Sequence, residues 1–265
     1  MNRNAILLTS LLVLTSGCAT TPKPKLPVPK PPVVDSGGSQ ASITPALPPA
    51  VHWLSYSAEH RAIFLEVYGW ATKTIEAEAK NRPRGTWAVA LDADETVIDN
   101  SAYERELVER GEVYGSASWG QFVHRMDSPP LPGALEFLQR VRELGGKIAI
   151  VTNRHQELCP VTRADFDKYH IPYDVILCRP RGASARKEPR WQAVENGTAK
   201  PGMPALPILM WLGDNIEDFP GGYQSLATAP SRALEKFGRR YFVLPNPVYG
   251  SWQGPADTGG FKKKN

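Results

Sequence analysis

Histidine and cysteine are scarce in this chain, with five and three copies in 265 residues. The histidines show no metal-ligand spacing, so a zinc centre is not expected. A long apolar run is also missing. The longest largely apolar stretch, Ala5 to Leu14, has ten residues, about half of what a membrane-spanning helix needs. Nor is positive charge concentrated in the body, although the formal net charge is +4. Setting aside four basic residues and one acidic residue in the first 50 positions, and the lysines Lys262 to Lys264, leaves 24 basic against 26 acidic residues. Nucleic-acid binders display a clustered basic face, so no nucleic-acid partner is expected. The lysines belong to a flexible basic tail, 253–265. No internal repeat is apparent.

What is present begins with Arg3, the apolar stretch and Thr15-Ser16-Gly17-Cys18. This is the layout of a cleaved export signal over residues 1–17. The small residues before Cys18 resemble a bacterial lipobox, with Thr15 where leucine is usual. On that reading Cys18 is lipidated and holds the protein to a membrane. An ordinary signal peptide cut further on is the alternative. Ala19 in place of aspartate favours sorting to the outer membrane, so the expected location is the bacterial cell envelope. Nine of the 25 prolines fall between Thr20 and Ala50. Residues 18–50 are therefore expected to form a spacer, reaching roughly 45 Å over Thr20 to Val34 at about 3.1 Å per residue.

From residue 51 the pattern becomes that of a folded domain, with 42% hydrophobic residues in the whole chain to supply its core. Ser57 is placed to cap a helix carrying Ile63, Phe64, Val67, Ala71 and Ile75 at helical spacing. Trp53 is placed to cover its end. Apolar runs suited to buried strands follow at 86–91, 147–152, 174–178, 208–212 and 241–244. Between the first two, Pro132 to Leu144 reads as a helix with proline in its first turn, Leu135, Leu138 and Val141 on one side, and Gly145-Gly146 as its stop. Strand and helix in alternation predict an α/β fold: a Rossmann-like parallel sheet with helices on both faces.

In such a sheet ligands bind beyond the carboxyl ends of the strands. The polar motifs fall there: Asp92 and Asp94 after the first strand, Thr152-Asn153-Arg154 at the end of the second, Gly213-Asp214 after the fourth. Two carboxylates two residues apart off a buried strand need a cation or a shared proton. A divalent metal or an electrophilic phosphorus answers that need. Asp92 can attack a phosphoryl group while Asp94 moves the proton of the leaving oxygen. Asp92, Asp214 and the Asp94 carbonyl make an oxygen ligand set that suits Mg²⁺. Thr152 and Lys187 offer a hydroxyl and a charge to phosphoryl oxygens, and Asp218 is placed to hold a metal-bound water or Lys187.

These residues, Asp92-x-Asp94-x-Thr96, Thr152, Lys187 and Gly213-Asp214-x-x-x-Asp218, resemble the four motifs of the haloacid dehalogenase superfamily. With Asp99-Asn100-Ser101 and Pro245-Asn246-Pro247-Val248-Tyr249-Gly250-Ser251-Trp252, the chain is similar to the class C non-specific acid phosphatases, the lipoprotein 5′-nucleotidase group. The resemblance implies a phosphatase domain over 51–252 with a small cap inserted at about 101–130. It implies a Mg²⁺-dependent acid phosphatase that hydrolyses phosphomonoesters, nucleoside 5′-monophosphates among them, through an aspartyl-phosphate. Its partners would be that small substrate and, through the lipid, a membrane. It further implies substrate contacts from Asn153 and Arg154, where the family has Ser-Asn-Arg, and stacking of the base on Trp119 and Tyr249. Ala93 replaces the family's usual leucine, and Asn196 to Ala205 looks inserted. Cys159 and Cys178 remain as a possible disulfide. A nucleotide-binding protein without catalysis and a phosphatase of nucleic-acid ends are the competing functions.

Overall fold

The computed structural model describes residues 46–254; the export signal, Cys18, all but the last residues of the spacer and nearly all of the basic tail lie outside the described residues. Five strands form one sheet: β1 (Ala88–Leu91), β2 (Lys147–His155), β3 (Val175–Arg179), β4 (Ile208–Gly213) and β5 (Tyr241–Val243). Their order is β3-β2-β1-β4-β5 and every pairing is parallel. The chain steps outward from β1 to β3, then crosses back to lay β4 on the other side of β1. The reversal therefore falls between β1 and β4, the place where an open parallel sheet leaves a crevice.

Alternation along β1 sends Val89 and Leu91 to one face and Ala88 and Ala90 to the other. The first face is covered by α2 (Ala58–Ala79), α5 (Ala134–Glu143) and α6 (Cys159–Lys168), through Phe64, Tyr68, Ile75, Phe137, Leu138 and Phe166. On the second face the alanines of β1 leave room for bulk. Trp191 of α7 (Glu188–Glu195) packs there with Trp211 of β4, Leu206, Phe219 and Tyr241. Burying each such side chain contributes about 1.5–3 kcal/mol, so both layers are needed to offset the entropy of ordering the sheet.

The Ser57 hydroxyl caps α2 by accepting from the His60 N–H at 3.0 Å. Phe64, Ala71 and Ile75 are buried as the spacing predicts, and Tyr68 joins them. Ile63 does not: it is 36% exposed, one residue off the apolar stripe. A short helix, α1 (Pro49–Tyr56), begins just inside the segment read as spacer and brings Trp53 edge-on to His60 at 5.3 Å. The α5 helix starts at Ala134, after Pro132, because Gly133 has φ +85° and a side chain there would meet Tyr68 Cβ at 3.0 Å. Its stop is as expected. Gly146 passes so close to the Trp87 ring that an added Cβ would lie 2.3 Å from it.

Two further helices, α3 (Ser101–Arg110) and α4 (Ser116–His124), form a small cap with its own core of Tyr103, Leu107, Phe122 and Val123. Cys159, the first residue of α6, is joined to Cys178 of β3 by a disulfide with S–S 2.07 Å.

Candidate active site

Asp92 leaves the end of β1, and its N–H is held by the Leu212 carbonyl of β4 at 3.0 Å, which fixes it at the crevice. Its carboxylate accepts from Lys187 Nζ. Lys187 stands immediately before α7, almost fully buried, and pairs with Asp218 Oδ1 at 2.6 Å as well. Asp218 closes the short turn after β4. There its Oδ2 accepts from the Asn215 N–H at 2.9 Å, and the Asn215 side chain accepts in return from the Glu217 N–H at 3.1 Å. Gly213 makes this possible: a Cβ on it would sit 2.3 Å from Asp218 Cβ. Asp214 is held from two sides, by Thr96 Oγ1 at 3.3 Å and Asn246 Nδ2 at 2.8 Å.

Burial pushes the Asp92 carboxyl up to about 7; Lys187 pulls the other way, while Asp218 and Asp94 add to the rise. Asp214 is driven well above the carboxylate range by burial and by the charges of Asp218 and Asp92. Burial works against the Lys187 ammonium, but Asp218 and Asp92 outweigh it and raise its pKa. Carboxylate oxygens of Asp92, Asp214 and Asp218 lie within 4.8 Å of one another. One lysine for these crowded carboxylates leaves the group short of positive charge, and hard oxygen donors so arranged fit a divalent cation.

Asp94 has a different environment. Arg154 grips it with Nε at 2.9 Å and Nη2 at 2.7 Å from Oδ1, and Asn100 Nδ2 reaches the same oxygen at 2.9 Å. Arg154, expected at the substrate, thus has its guanidinium on Asp94, and its side chain is only 1% exposed. Thr152 is fully buried. Its hydroxyl donates toward Asp94 Oδ2 at 3.5 Å and accepts from the Arg154 N–H at 3.1 Å. Asn153 is exposed, and its side-chain carbonyl accepts from Arg190 at 2.7 Å. Between the motif carboxylates and the cap, Glu95 adopts φ +52°, a conformation that side chains other than glycine seldom take. Its buried carboxyl, raised well above the usual range by burial and then by Asp94, accepts from the Asn100 N–H at 2.9 Å.

Four of these contributors escaped the sequence analysis. Asn100 and Asn246 stand inside motifs already singled out, and for Asn246 the available signal was a lone amide between two prolines. Arg190 lies in a charged run with nothing to mark it as buried. Tyr68, whose hydroxyl donates to the Thr96 carbonyl at 2.7 Å, reads as an ordinary helix-face aromatic.

The carboxylates and Lys187 floor a cleft of about 680 Å³ whose walls include Tyr103, Trp119 and Tyr249. Trp119 of α4 lies nearly parallel to Phe122 at 5.6 Å, with the Arg154 guanidinium 5.3 Å from its ring centre. The Tyr249 N–H donates to Asn246 Oδ1 at 3.3 Å, so the amide that holds Asp214 also holds this loop.

A parallel sheet whose carboxyl-end crevice crowds three carboxylates around one lysine is the arrangement of an α/β enzyme. The particular family follows from the sequence: the model of the HAD superfamily, subfamily IIIB (acid phosphatase), matches residues 33–252, and the chain belongs to that family. It is a phosphoric monoester hydrolase. The class C acid phosphatase of Bacillus anthracis with tungstate bound superposes with a TM-score of 0.69 at 25% identity, covering 82% of this chain and 90% of that one. A second structure of the Bacillus anthracis enzyme gives 0.68 at 24% identity over 77% and 85% of the two chains. The stem 28 kDa glycoprotein of soybean, Glycine max, is 24% identical over 75% of this chain and 71% of its own length. The α/β fold and the class C acid phosphatase family expected from the motifs are thereby borne out.

Proposed function

We propose that this acid phosphatase is a Mg²⁺-dependent nucleotidase, hydrolysing nucleoside 5′-monophosphates through an aspartyl-phosphate on Asp92. The observation that carries the reading is the division of labour between two aspartates in one cleft. Asp92 shares Lys187 with Asp218, and Asp94 is oriented by Arg154 and Asn100. Asp92 attacks phosphorus and expels the alkoxide, to which Asp94 gives its proton; Asp94 then takes a proton from the water that cleaves the acyl phosphate and regenerates Asp92. Lys187 keeps positive charge beside the nucleophile throughout. Asp92, Asp214 and Asp218, with the Asp94 carbonyl nearby, would hold the ion. When bound, Mg²⁺ supplies charge neutralisation between carboxylate and phosphate. Trp119 and Tyr249 offer aromatic faces to the base, and stacking tolerates any base.

Phosphate release across nucleoside monophosphates, sugar phosphates and an aryl phosphate, with EDTA and with Mg²⁺ restored, tests the reading. Full activity in the chelated enzyme, or restoration by Zn²⁺ alone, overturns the metal assignment. Trp119→Ala is expected to lower kcat/KM for nucleoside monophosphates about tenfold to a hundredfold while sparing the aryl phosphate. An equal loss on both would make Trp119 part of the cap's packing. We further propose a lipid anchor at Cys18 in the bacterial outer membrane. Cys18→Ala should then move the protein out of the membrane fraction, and an unchanged mass and fractionation would return residues 1–17 to an ordinary signal peptide.

A further inference from the structure

We propose that the cleft holds a second anion subsite centred on Arg179, so that the preferred substrates are phosphomonoesters carrying a second phosphoryl group, as in a nucleoside 3′,5′-bisphosphate. The inference rests on the phosphomonoesterase reading of the floor of the cleft.

Three cationic side chains other than histidine line this cleft: Arg154, Lys187 and Arg179. Arg154 is engaged by Asp94, and Lys187 by Asp92 and Asp218. Arg179 has no carboxylate within ion-pair distance among the described residues. Glu104 and Glu112 face the cleft from the cap, yet neither pairs with it. Among the described residues the one hydrogen-bond partner of its side chain is His155, whose Nε2 meets Arg179 Nη2 at 2.8 Å. An arginine cannot accept, so in this bond the His155 nitrogen is the acceptor. Arg179 therefore brings its positive charge to the cleft wall with only one of its five guanidinium N–H groups spent on His155.

The placement also fits. His155 ends β2 and Arg179 ends β3, registered opposite each other on the rim that carries Asp92. Neighbouring strands are about 4.8 Å apart, which puts the backbone of β3 roughly 10 Å from that of β1. An arginine reaching into the cleft closes most of that gap, so an anion on Arg179 and a phosphoryl group at Asp92 belong to one small molecule. Preorganisation comes from the preceding residue: Cys178 is bridged to Cys159, which ties the end of β3 to α6 directly before Arg179. Arg181, two residues on, is drawn away toward Glu157 at 3.6 Å. A planar guanidinium with free N–H groups matches a phosphoryl group in two-point contact.

The test compares kcat/KM for adenosine 5′-monophosphate, adenosine 3′,5′-bisphosphate and an aryl phosphate in the wild type, Arg179→Gln and Arg179→Lys, all matched for melting temperature. Turnover of the monophosphate and the aryl ester by the wild type reads the proposed function. The ratio of bisphosphate to monophosphate reads the subsite. The wild type should favour the bisphosphate by about tenfold or more, carried mainly by KM, and Arg179→Gln should erase that preference while leaving the other two substrates within about threefold. Arg179→Lys should recover part of it. A wild-type ratio near one, a preference that persists in Arg179→Gln, or an equal loss on all substrates would each overturn the subsite.

Discussion

The two ends of the sheet both gather charge, and they use it in opposite ways. At the amino ends of the strands, Arg84, Arg142 and Lys147 surround a hollow of about 540 Å³. There the guanidinium of Arg84 donates to the Glu143 and Arg142 carbonyls at 2.5 and 3.3 Å, Arg142 donates to the Tyr173 carbonyl at 3.0 Å, and Lys147 pairs with Asp174 at 3.0 Å. The two arginines cap carbonyls at the last turn of α5 and the entry to β3, and the lysine is matched by its own carboxylate. At the carboxyl ends Lys187 and Arg154 meet carboxylates that outnumber them. A charge cluster signals chemistry when its own charges leave it uncompensated, not when it is merely dense.

Mutation at each end should separate these roles. The largest effect is expected from Asp92→Asn, which should cut turnover at least a thousandfold with the fold intact, read by phosphate release and circular dichroism. Retention of a tenth of the rate would remove Asp92 as nucleophile. Next comes Arg154→Gln. If Arg154 positions Asp94, kcat should fall about tenfold to a hundredfold for a nucleotide with its poor leaving group and far less for an aryl phosphate. A rise in KM alone would return Arg154 to substrate contact.

A third prediction concerns pH. With its pKa pushed up to about 7 in the metal-free fold, Asp92 keeps a proton that the unfolded chain releases near pH 4. The stability it contributes is full below about pH 4 and is lost as pH rises through 7. A divalent ion needs the deprotonated carboxylate, so the rise in melting temperature on adding Mg²⁺ should be larger at pH 8 than at pH 6. An increment independent of pH would break the link between this carboxylate and the ion. The smallest effect belongs to the other end of the sheet. Arg84→Ala should cost about 1 kcal/mol in urea unfolding and leave kcat/KM within about twofold. A tenfold loss of activity there would erase the contrast between the two ends.

Legibility in the sequence followed the same division. Strands were readable because continuous apolar runs such as Ile208 to Leu212 have one stable home, a sheet covered on both faces. The start of α5 was not, because Gly133 takes φ +85° where a side chain would press on Tyr68, 65 positions away in the chain. Likewise Ile63 looks apolar by type but lies off the stripe that α5 covers. In the site, Asp92, Asp94 and Asp214 could be named from residue types at strand ends, and Lys187 and Asp218 from their order in the chain relative to these. The partner of Arg154 could not.

The order of apolar runs and terminal carboxylates determined by itself that this protein is an α/β enzyme with its chemistry on one rim, since local periodicity and charge burial depend on residue type alone. Which groups share a cation or a guanidinium was decided only in three dimensions. Asp94 meets Arg154 across 60 positions and Lys187 meets Asp92 across 95. Such pairings depend on strand order and register, and a Coulomb interaction that falls with distance is set by where the folded chain puts its ends.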